Sequence, residues 1–223
     1  MYHMGSMPAQ VDAEALALLA EAETATIGHF RHMGFMHRAI QALRPGRVVG
    51  TAVTLALPGL DSTLLHHALS DVRPGDILVI DRLGDDRHAC WGGGVTRAAK
   101  AAGVVAAIID GPCTDPSEII EEAFPLWSRG PAPITTRVLD LGGGMNVPVS
   151  CGGAVVLPGD AILADESGVI VLRPEEVRAT AEEAIRRQER GKIRQAEIAS
   201  GRLKIGDASG ARAKVEAALA AGR

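Results

Sequence analysis

The chain has 223 residues, 47% of them hydrophobic and 22% charged, the make-up of an ordinary globular protein with one substantial core. Its formal net charge is −4 and only 3% of its residues are aromatic, so it offers neither a long basic run to neutralise phosphates nor rings to stack on bases, and nucleic acid is not an expected partner. Cys90, Cys113 and Cys151 make no disulfide framework and no paired zinc spacing, and no apolar run approaches the ~20 residues of a membrane helix, so a soluble, cytoplasmic protein with no membrane partner is expected.

The opening Met1–Met7 lacks the apolar core of a signal peptide and reads in part as a vector-derived scar. Residues 1–10 are therefore set aside as an unstructured start, and 11–223 are taken as one domain. From Val11 to Phe30, apolar residues three and four apart in an Ala-, Leu- and Glu-rich stretch predict an amphipathic helix, with a shorter one over His37–Leu43. After the Pro45-Gly46 break, Val48–Leu57 carries the β-branched residues of a strand. Asp61 or Ser62 can cap a helix over Thr63–Leu69. Ile77–Ile80, wholly apolar between turn signals, predicts a strand buried on both faces, with Asp81 at its carboxyl end. Gly92–Gly94 opens a small-residue helix that Gly103 closes, and a second buried strand, Val104–Ile109, runs into Asp110-Gly111. In such β-α-β units ligands bind beyond the carboxyl ends of the strands. A short helix over Ser117–Glu122 follows, then strands at Ile134–Leu139, Val147–Ser150, Ala154–Leu157 and Val169–Leu172. Finally, Pro174 starts a long charged helix from Glu175 to about Ile198, and Ala211–Ala221 suits another.

Glycines at a helix start let backbone N–H groups approach an anion. Neither GxGxxG nor GxxxxGK[ST] is present, which argues against a dinucleotide or P-loop site. Two readings stay open for Gly92, Gly93 and Gly94: a tight packing turn, or a cradle that, with Val95 and Thr96, receives a small carboxylate. Asp115, just past a buried strand, can face a cleft or cap the helix that follows it. Asp81, Asp85 and Asp86 cluster after the preceding strand, where Arg82 and Arg87 can pair with them. No His/Cys set has zinc spacing, so a metal here should be a hard one held by one or two carboxylates and water. His66 and His67 point to different faces of one helix, whereas His88, just before the glycine turn, is better placed for acid–base work. Cys113 has no nearby base in sequence and reads as a small buried hydrophobe.

The order and spacing of Thr26-Ile-Gly-His29, Arg44-Pro-Gly-Arg-Val-Val-Gly-Thr-Ala52, Arg73-Pro-Gly-Asp-Ile-Leu-Val-Ile-Asp81, Gly92-Gly-Gly94, Asp110-Gly-Pro-Cys-Thr-Asp115, Ser128-Arg-Gly130, Val147-Pro-Val149, Pro158-Gly-Asp160 and Ala164-Asp-Glu-Ser-Gly-Val169 cover most of the chain. Together they resemble the family of the 4-hydroxy-4-methyl-2-oxoglutarate aldolases and the regulator of ribonuclease activity A. The resemblance implies an α/β fold, a single three-layer β/β/α swivelling domain with flanking N- and C-terminal helices, assembled as a homotrimer or homohexamer with sites near subunit interfaces. It implies a divalent-metal-dependent carbon–carbon lyase, an aldolase or decarboxylase using Mg²⁺ (or Mn²⁺). Its substrate would be a small 2-oxo acid such as 4-hydroxy-4-methyl-2-oxoglutarate or oxaloacetate, and its product pyruvate.

In the family an Arg-Asp pair follows the Asp-Gly turn, the Asp anchoring the metal and the Arg holding the substrate. Here Asp115 matches the Asp, but Thr114 occupies the Arg position. Losing the guanidinium removes a bidentate contact and a positive charge. Either Arg82, Arg87 or Arg129 reaches in, or the substrate differs, or aldolase activity is weak. The expected catalytic set is Asp115, Asp81, His88 and Thr114, with Asp115 on the metal, water-mediated help from Asp81 or the Asp85-Asp86 pair, and Gly92–Thr96, Arg82 and Arg129 on the substrate. The other branch of the family offers an alternative: a non-catalytic regulator acting through its oligomeric surface.

Overall fold

The computed structural model describes residues 1–223. In chain order its elements are β1 (Tyr2–Met4), α1 (Ala13–Ala20), α2 (Thr24–Gly28), β2 (Gln41–Ala42), β3 (Val48–Ala56), α3 (Thr63–Ala68), β4 (Asp76–Asp81), α4 (Gly93–Ala101), β5 (Ala106–Asp110) and α5 (Pro116–Glu121). The second half adds β6 (Leu126–Ser128), β7 (Gly143–Met145), β8 (Val149–Cys151), β9 (Ala154–Val156), β10 (Ala161–Asp165), β11 (Gly168–Leu172), α6 (Val177–Ala199), α7 (Ile205–Ala208) and α8 (Ala211–Ala220).

Strands β3, β4, β5 and β6 run parallel, and the sheet extends in the order β1-β7-β3-β4-β5-β6-β2. On the edge of β3 away from β4, the β10–β11 hairpin lies antiparallel over Val48–Thr51, and β7 over Leu55–Ala56. The apolar runs are buried on both faces because alternate side chains enter different cores. Leu78 and Ile80 join Val53, Leu55, Ala107 and Ile109 in a core that also holds Trp91 and Phe124, stacked 5.6 Å apart, and residues of α3, α4 and α5. Ile77 and Val79 join Ala52, Ala106, Ile108 and Trp127 in a second core, closed by residues of β8 to β11. A third core packs Leu19, Ile27, Val177 and Ala181 of α1, α2 and α6 against Leu163 and Ile170 of the β10–β11 hairpin. Each fully buried Val, Leu, Ile or Phe among them contributes about 1.5–3 kcal/mol by leaving water. The result is the expected α/β architecture, a helix layer and a β layer on opposite faces of one sheet, with terminal helices at its flank.

Several local expectations are corrected. The helix expected over Val11–Phe30 breaks into α1 and α2, because donors between them have acceptors far along the chain. The Glu23 N–H donates to Gln188 Oε1 (2.9 Å), and the Thr24 N–H and hydroxyl both donate to the Asp165 carboxylate (2.9 and 2.5 Å). His37–Leu43 is not helical. His37 N donates to Gly152 O (2.7 Å), and Gln41–Ala42 pairs as strand β2 with Trp127 and Ser128 of β6. Ile134–Leu139 is no strand but a loop touching its neighbours by single bridges at Thr135 and Arg137. Tyr2–Met4, within the segment set aside, lies parallel to Gly143–Met145, with the Tyr2 hydroxyl donating to Asp140 Oδ1 at 2.8 Å.

Candidate functional site

Strands β4 and β5 end side by side at Asp81 and Asp110, which are register partners. Both carboxylates are occupied. Asp81 accepts from the N–H of Leu83 (2.7 Å) and of Ser150 (3.2 Å). Asp110 accepts from the N–H of Gly152 (2.7 Å) and pairs with Arg129 Nε (2.5 Å). These aspartates therefore latch β8 across the ends of the parallel strands, with each oxygen of Asp81 accepting from a backbone N–H. Arg129, expected on the substrate, is already engaged through Nε.

Arg82 is wholly buried, so it does not line an open site. Its Nη2 donates to Gly59 O and to His88 O (3.3 Å) and lies 3.6 Å from Asp85 Oδ2, while Nε and Nη1 have no partner. A Cβ on Gly111 would come within 2.5 Å of Arg82 Cγ, so the guanidinium stem props the Asp110-Gly111 turn from below. Asp85 in turn accepts from the Arg87 N–H (2.8 Å), the His88 N–H (3.1 Å) and the His88 ring at Nδ1 (2.8 Å). Burial pushes the Asp85 carboxyl up, but these hydrogen bonds outweigh it and hold the group below the usual carboxylate value. His88 is thereby oriented, with its Nε2 left over and its side chain 23% exposed.

The second constellation surrounds the start of α4. Asp115 has φ 51°, ψ 48°, a left-handed conformation that Asp tolerates better than most residues. In that conformation its side chain leaves its own helix uncapped. Instead Asp115 Oδ2 accepts from Gly93 N (3.1 Å), at the N-terminus of the neighbouring α4. The expected alternative, a cap for the following helix, is thus replaced by a cap on another one. Thr114 donates its hydroxyl to Asp115 Oδ1 (3.2 Å) and its N–H to Trp91 O (2.8 Å). The glycines allow this closeness. A Cβ at Gly92 would come within 2.5 Å of Asp115 Oδ2 and 2.7 Å of Thr114 Cγ2, and one at Gly93 would collide with Glu118 Oε2.

The cradle expected from Gly92 to Thr96 is accordingly narrower than the sequence suggests. Gly93 N serves Asp115. Thr96 is excluded: its side chain is buried and accepts from Trp91 Nε1 (2.9 Å), and its N–H bonds Gly92 O (3.0 Å). Gly94, exposed, and Val95, half-buried, remain at the open first turn. Sequence reasoning missed Glu118 and Arg97. Glu118 lies against Gly93, and its Oε2 is 2.9 Å from Arg97 Nη2, while Arg97 Nε and Lys100 Nζ reach Glu122 (3.0 and 2.8 Å). The usable signal was spacing: Glu118 follows Asp115 by three residues, which places both at the start of one helix.

A cavity of about 530 Å³ opens beside these residues, lined by Asp85, Asp86, Asp110, Pro112, Arg129 and Gly130, but by neither Asp115 nor Gly92–Gly94. The expected site residues therefore fall into two groups rather than one. No three His, Cys, Asp or Glu residues converge at metal-binding distance. The oxygens around Gly93, from Asp115, Glu118 and the Thr114 hydroxyl, are the hard donors that suit an ion keeping most of its own waters, as Mg²⁺ does. The cysteines are all buried; desolvation raises Cys113, takes Cys90 to about 11 and carries Cys151 well above the ordinary thiol value, which disfavours any thiolate nucleophile.

A family model described as Aldolase/RraA, RraA-like, matches residues 12–171. A Halalkalibacterium halodurans protein named as a candidate 4-hydroxy-4-methyl-2-oxoglutarate aldolase is 35% identical over 126 residues, 56% of this chain; the match spans 60% of that relative's length. A Thermus thermophilus protein named 4-hydroxy-4-methyl-2-oxoglutarate aldolase is 30% identical over 112 residues, covering 50% of this chain and 68% of the relative. Among solved structures, an unusual member of the RNase ES inhibitor RraA protein family from Streptomyces coelicolor superposes with TM-score 0.75 at 27% identity, covering 84% of this chain and 99% of that one. The RNA-processing inhibitor RraA of Thermus superposes with TM-score 0.61 at 26% identity, over 67% of this chain and 91% of that one.

Proposed function

The chain belongs to the RraA-like family, and from that premise we propose that it is a divalent-metal-dependent lyase that breaks a carbon–carbon bond of a small 2-oxo acid and releases pyruvate. The observation that carries the reading is Asp115. It is an exposed carboxylate at the carboxyl side of a parallel sheet, held in a left-handed conformation that forgoes its own helix and turned onto the glycine start of another.

Asp115, with Glu118 and the Thr114 hydroxyl beside it, would hold Mg²⁺ or Mn²⁺, which when bound supplies electrophilic polarisation of the 2-oxo group. The open first turn of α4 at Gly94 and Val95 presents its N-terminal dipole to the substrate carboxylate. In place of the missing arginine, Arg97 brings a guanidinium to the same turn through Glu118. His88, held at Nδ1 by Asp85, stands in the other group of expected residues, and no proton transfer is assigned to it in this reading. A homotrimer or homohexamer in the cytoplasm is part of this reading, on the strength of the resemblance.

The test is pyruvate release from 4-hydroxy-4-methyl-2-oxoglutarate and from oxaloacetate with Mg²⁺ or Mn²⁺ supplied. Metal-dependent turnover that Asp115→Asn abolishes is expected, and no pyruvate from either acid would sink the proposal. One observation favours the second reading, a non-catalytic regulator: Thr114 leaves Asp115 without the cation that the family pairs with it. Capture of an RNA-degrading enzyme by the protein, undiminished in Asp115→Ala, would decide for that reading.

A further inference from the structure

A groove of about 690 Å³ lies far from the glycine turn, between α2 and the middle of α6. No hydrophobic residue lines it. Its cations are Arg187, Arg190, Lys192 and Arg194, facing His29 across the groove, and its one carboxylate, Glu23, is shared with Arg47 at 3.7 Å. Arg187 is fixed over the Phe30 ring (4.7 Å to the centroid) and paired with Glu183. Arg190, Lys192 and Arg194 have no ion-pair partner, although the other arginines of this helix do. Like charges one turn apart weaken a helix, and Arg190 and Arg194 stand in that relation with no carboxylate at ion-pair distance from either.

An independent observation points the same way. Gly191, inside α6 and in the groove wall, has nothing within 4 Å of where a Cβ would be, and its backbone is not in the left-handed region. Glycine in a helix interior is destabilising relative to alanine. No contact of this chain demands it here. A glycine without an internal reason, in the wall of a cavity, leaves the helix backbone open to close approach by a ligand.

The chain's charge is also unevenly spread. Residues 177–223 hold 11 Lys and Arg against 6 Asp and Glu, which leaves 12 against 21 in residues 1–176, so a basic arm sits on an acidic body.

We propose that the groove between α2 and α6 binds a small oligophosphate. The cations at 187, 190 and 194 recur along the helix at steps on the order of 5 Å, which suits several linked anionic groups better than one carboxylate. Arginine forks grip phosphate oxygens in pairs. The volume suits a small molecule, and with no hydrophobic residue in the lining the groove offers a peptide's apolar side chains no hydrophobic pocket. No Phe, Tyr or Trp lines the groove to stack on a base.

Calorimetric titration of the full chain with sodium tripolyphosphate at low salt tests this. Saturable binding is expected. It should weaken about tenfold or more in Arg190→Glu/Arg194→Glu, and by less than about twofold in Lys204→Glu/Lys214→Glu, the same charge change elsewhere on the arm. Gly191→Ala should weaken it about threefold while the melting temperature holds or rises, a combination that a merely structural glycine would not give. The proposal is overturned by no saturable binding to the wild type, by equal losses in the two charge-reversed pairs, or by unchanged affinity in Gly191→Ala. Binding of oligouridylate RNA without binding of tripolyphosphate would overturn it too, in favour of a nucleic-acid face.

Discussion

Thr114 is held at both ends, by its N–H to Trp91 O and its hydroxyl to Asp115, and its methyl faces Gly92. A longer side chain there would project beside Asp115 and Glu118. If the site is an aldolase weakened by its missing cation, Thr114→Arg should raise kcat/KM for pyruvate formation, by up to about a hundredfold, or ~3 kcal/mol of transition-state stabilisation. A fall in native activity with no gain in aldol cleavage would instead mean a pocket rebuilt for another substrate. Steady-state kinetics on both substrates, at matched melting temperature, separates the two. Arg82 calls for a different measurement. Truncation to alanine would strip donors from Gly59 O and His88 O and leave Asp85 without its buried counter-charge. Arg82→Ala should cost about 3–5 kcal/mol in chemical denaturation; a loss below about 1 kcal/mol would show that the guanidinium is dispensable.

At the scale of elements, single carboxylates tie distant segments together. Asp61, almost wholly buried, accepts from Thr63 N (2.9 Å) and Oγ (2.6 Å), Leu139 N (2.9 Å) and Leu141 N (2.8 Å), joining the start of α3 to the loop before β7. Burial alone would raise its pKa, but these donors outweigh it and bring the value to about 2. A folded-state pKa below the unfolded value of about 3.9 means stabilisation that is complete above that value and lost as pH falls toward 2. Melting temperature should therefore drop between about pH 4 and pH 2 in the wild type. Asp61→Asn should start lower and show a shallower drop.

Such ties also explain what could be read in advance. Ile77–Ile80 and Val104–Ile109 announce themselves because an apolar run between turn residues has few other places to go. So does the glycine start of α4. The break between α1 and α2 depends on Gln188 and Asp165, more than 140 residues downstream, and no local pattern holds that information. The site shows the same division. Asp115 was legible from its place after a strand, but its service to Gly93, and the burial of Arg82 and Thr96, required the tertiary fold.

For the whole molecule, the uneven charge and the packing of the C-terminal arm matter most. Only the first half of α6 is buried, and α7 and α8 pack chiefly against each other. Deleting residues 200–223 should accordingly move the melting temperature by less than about 2 °C; a larger fall would show that the arm braces the core. Strand β3 is the opposite case, since everything on its outer edge arrives late. Its Val48–Thr51 edge waits for Ala161–Ala164, and Leu55–Ala56 waits for Gly144 and Met145, so roughly 90 to 110 further residues must be synthesised before that edge is closed. Pairings of such long sequence separation are slow to form, and an open apolar edge invites strand addition from another chain. A nascent chain halted before residue 160 would carry a finished β4–β5 ladder beside a β3 whose Val48–Thr51 edge is still open to a strand from another chain.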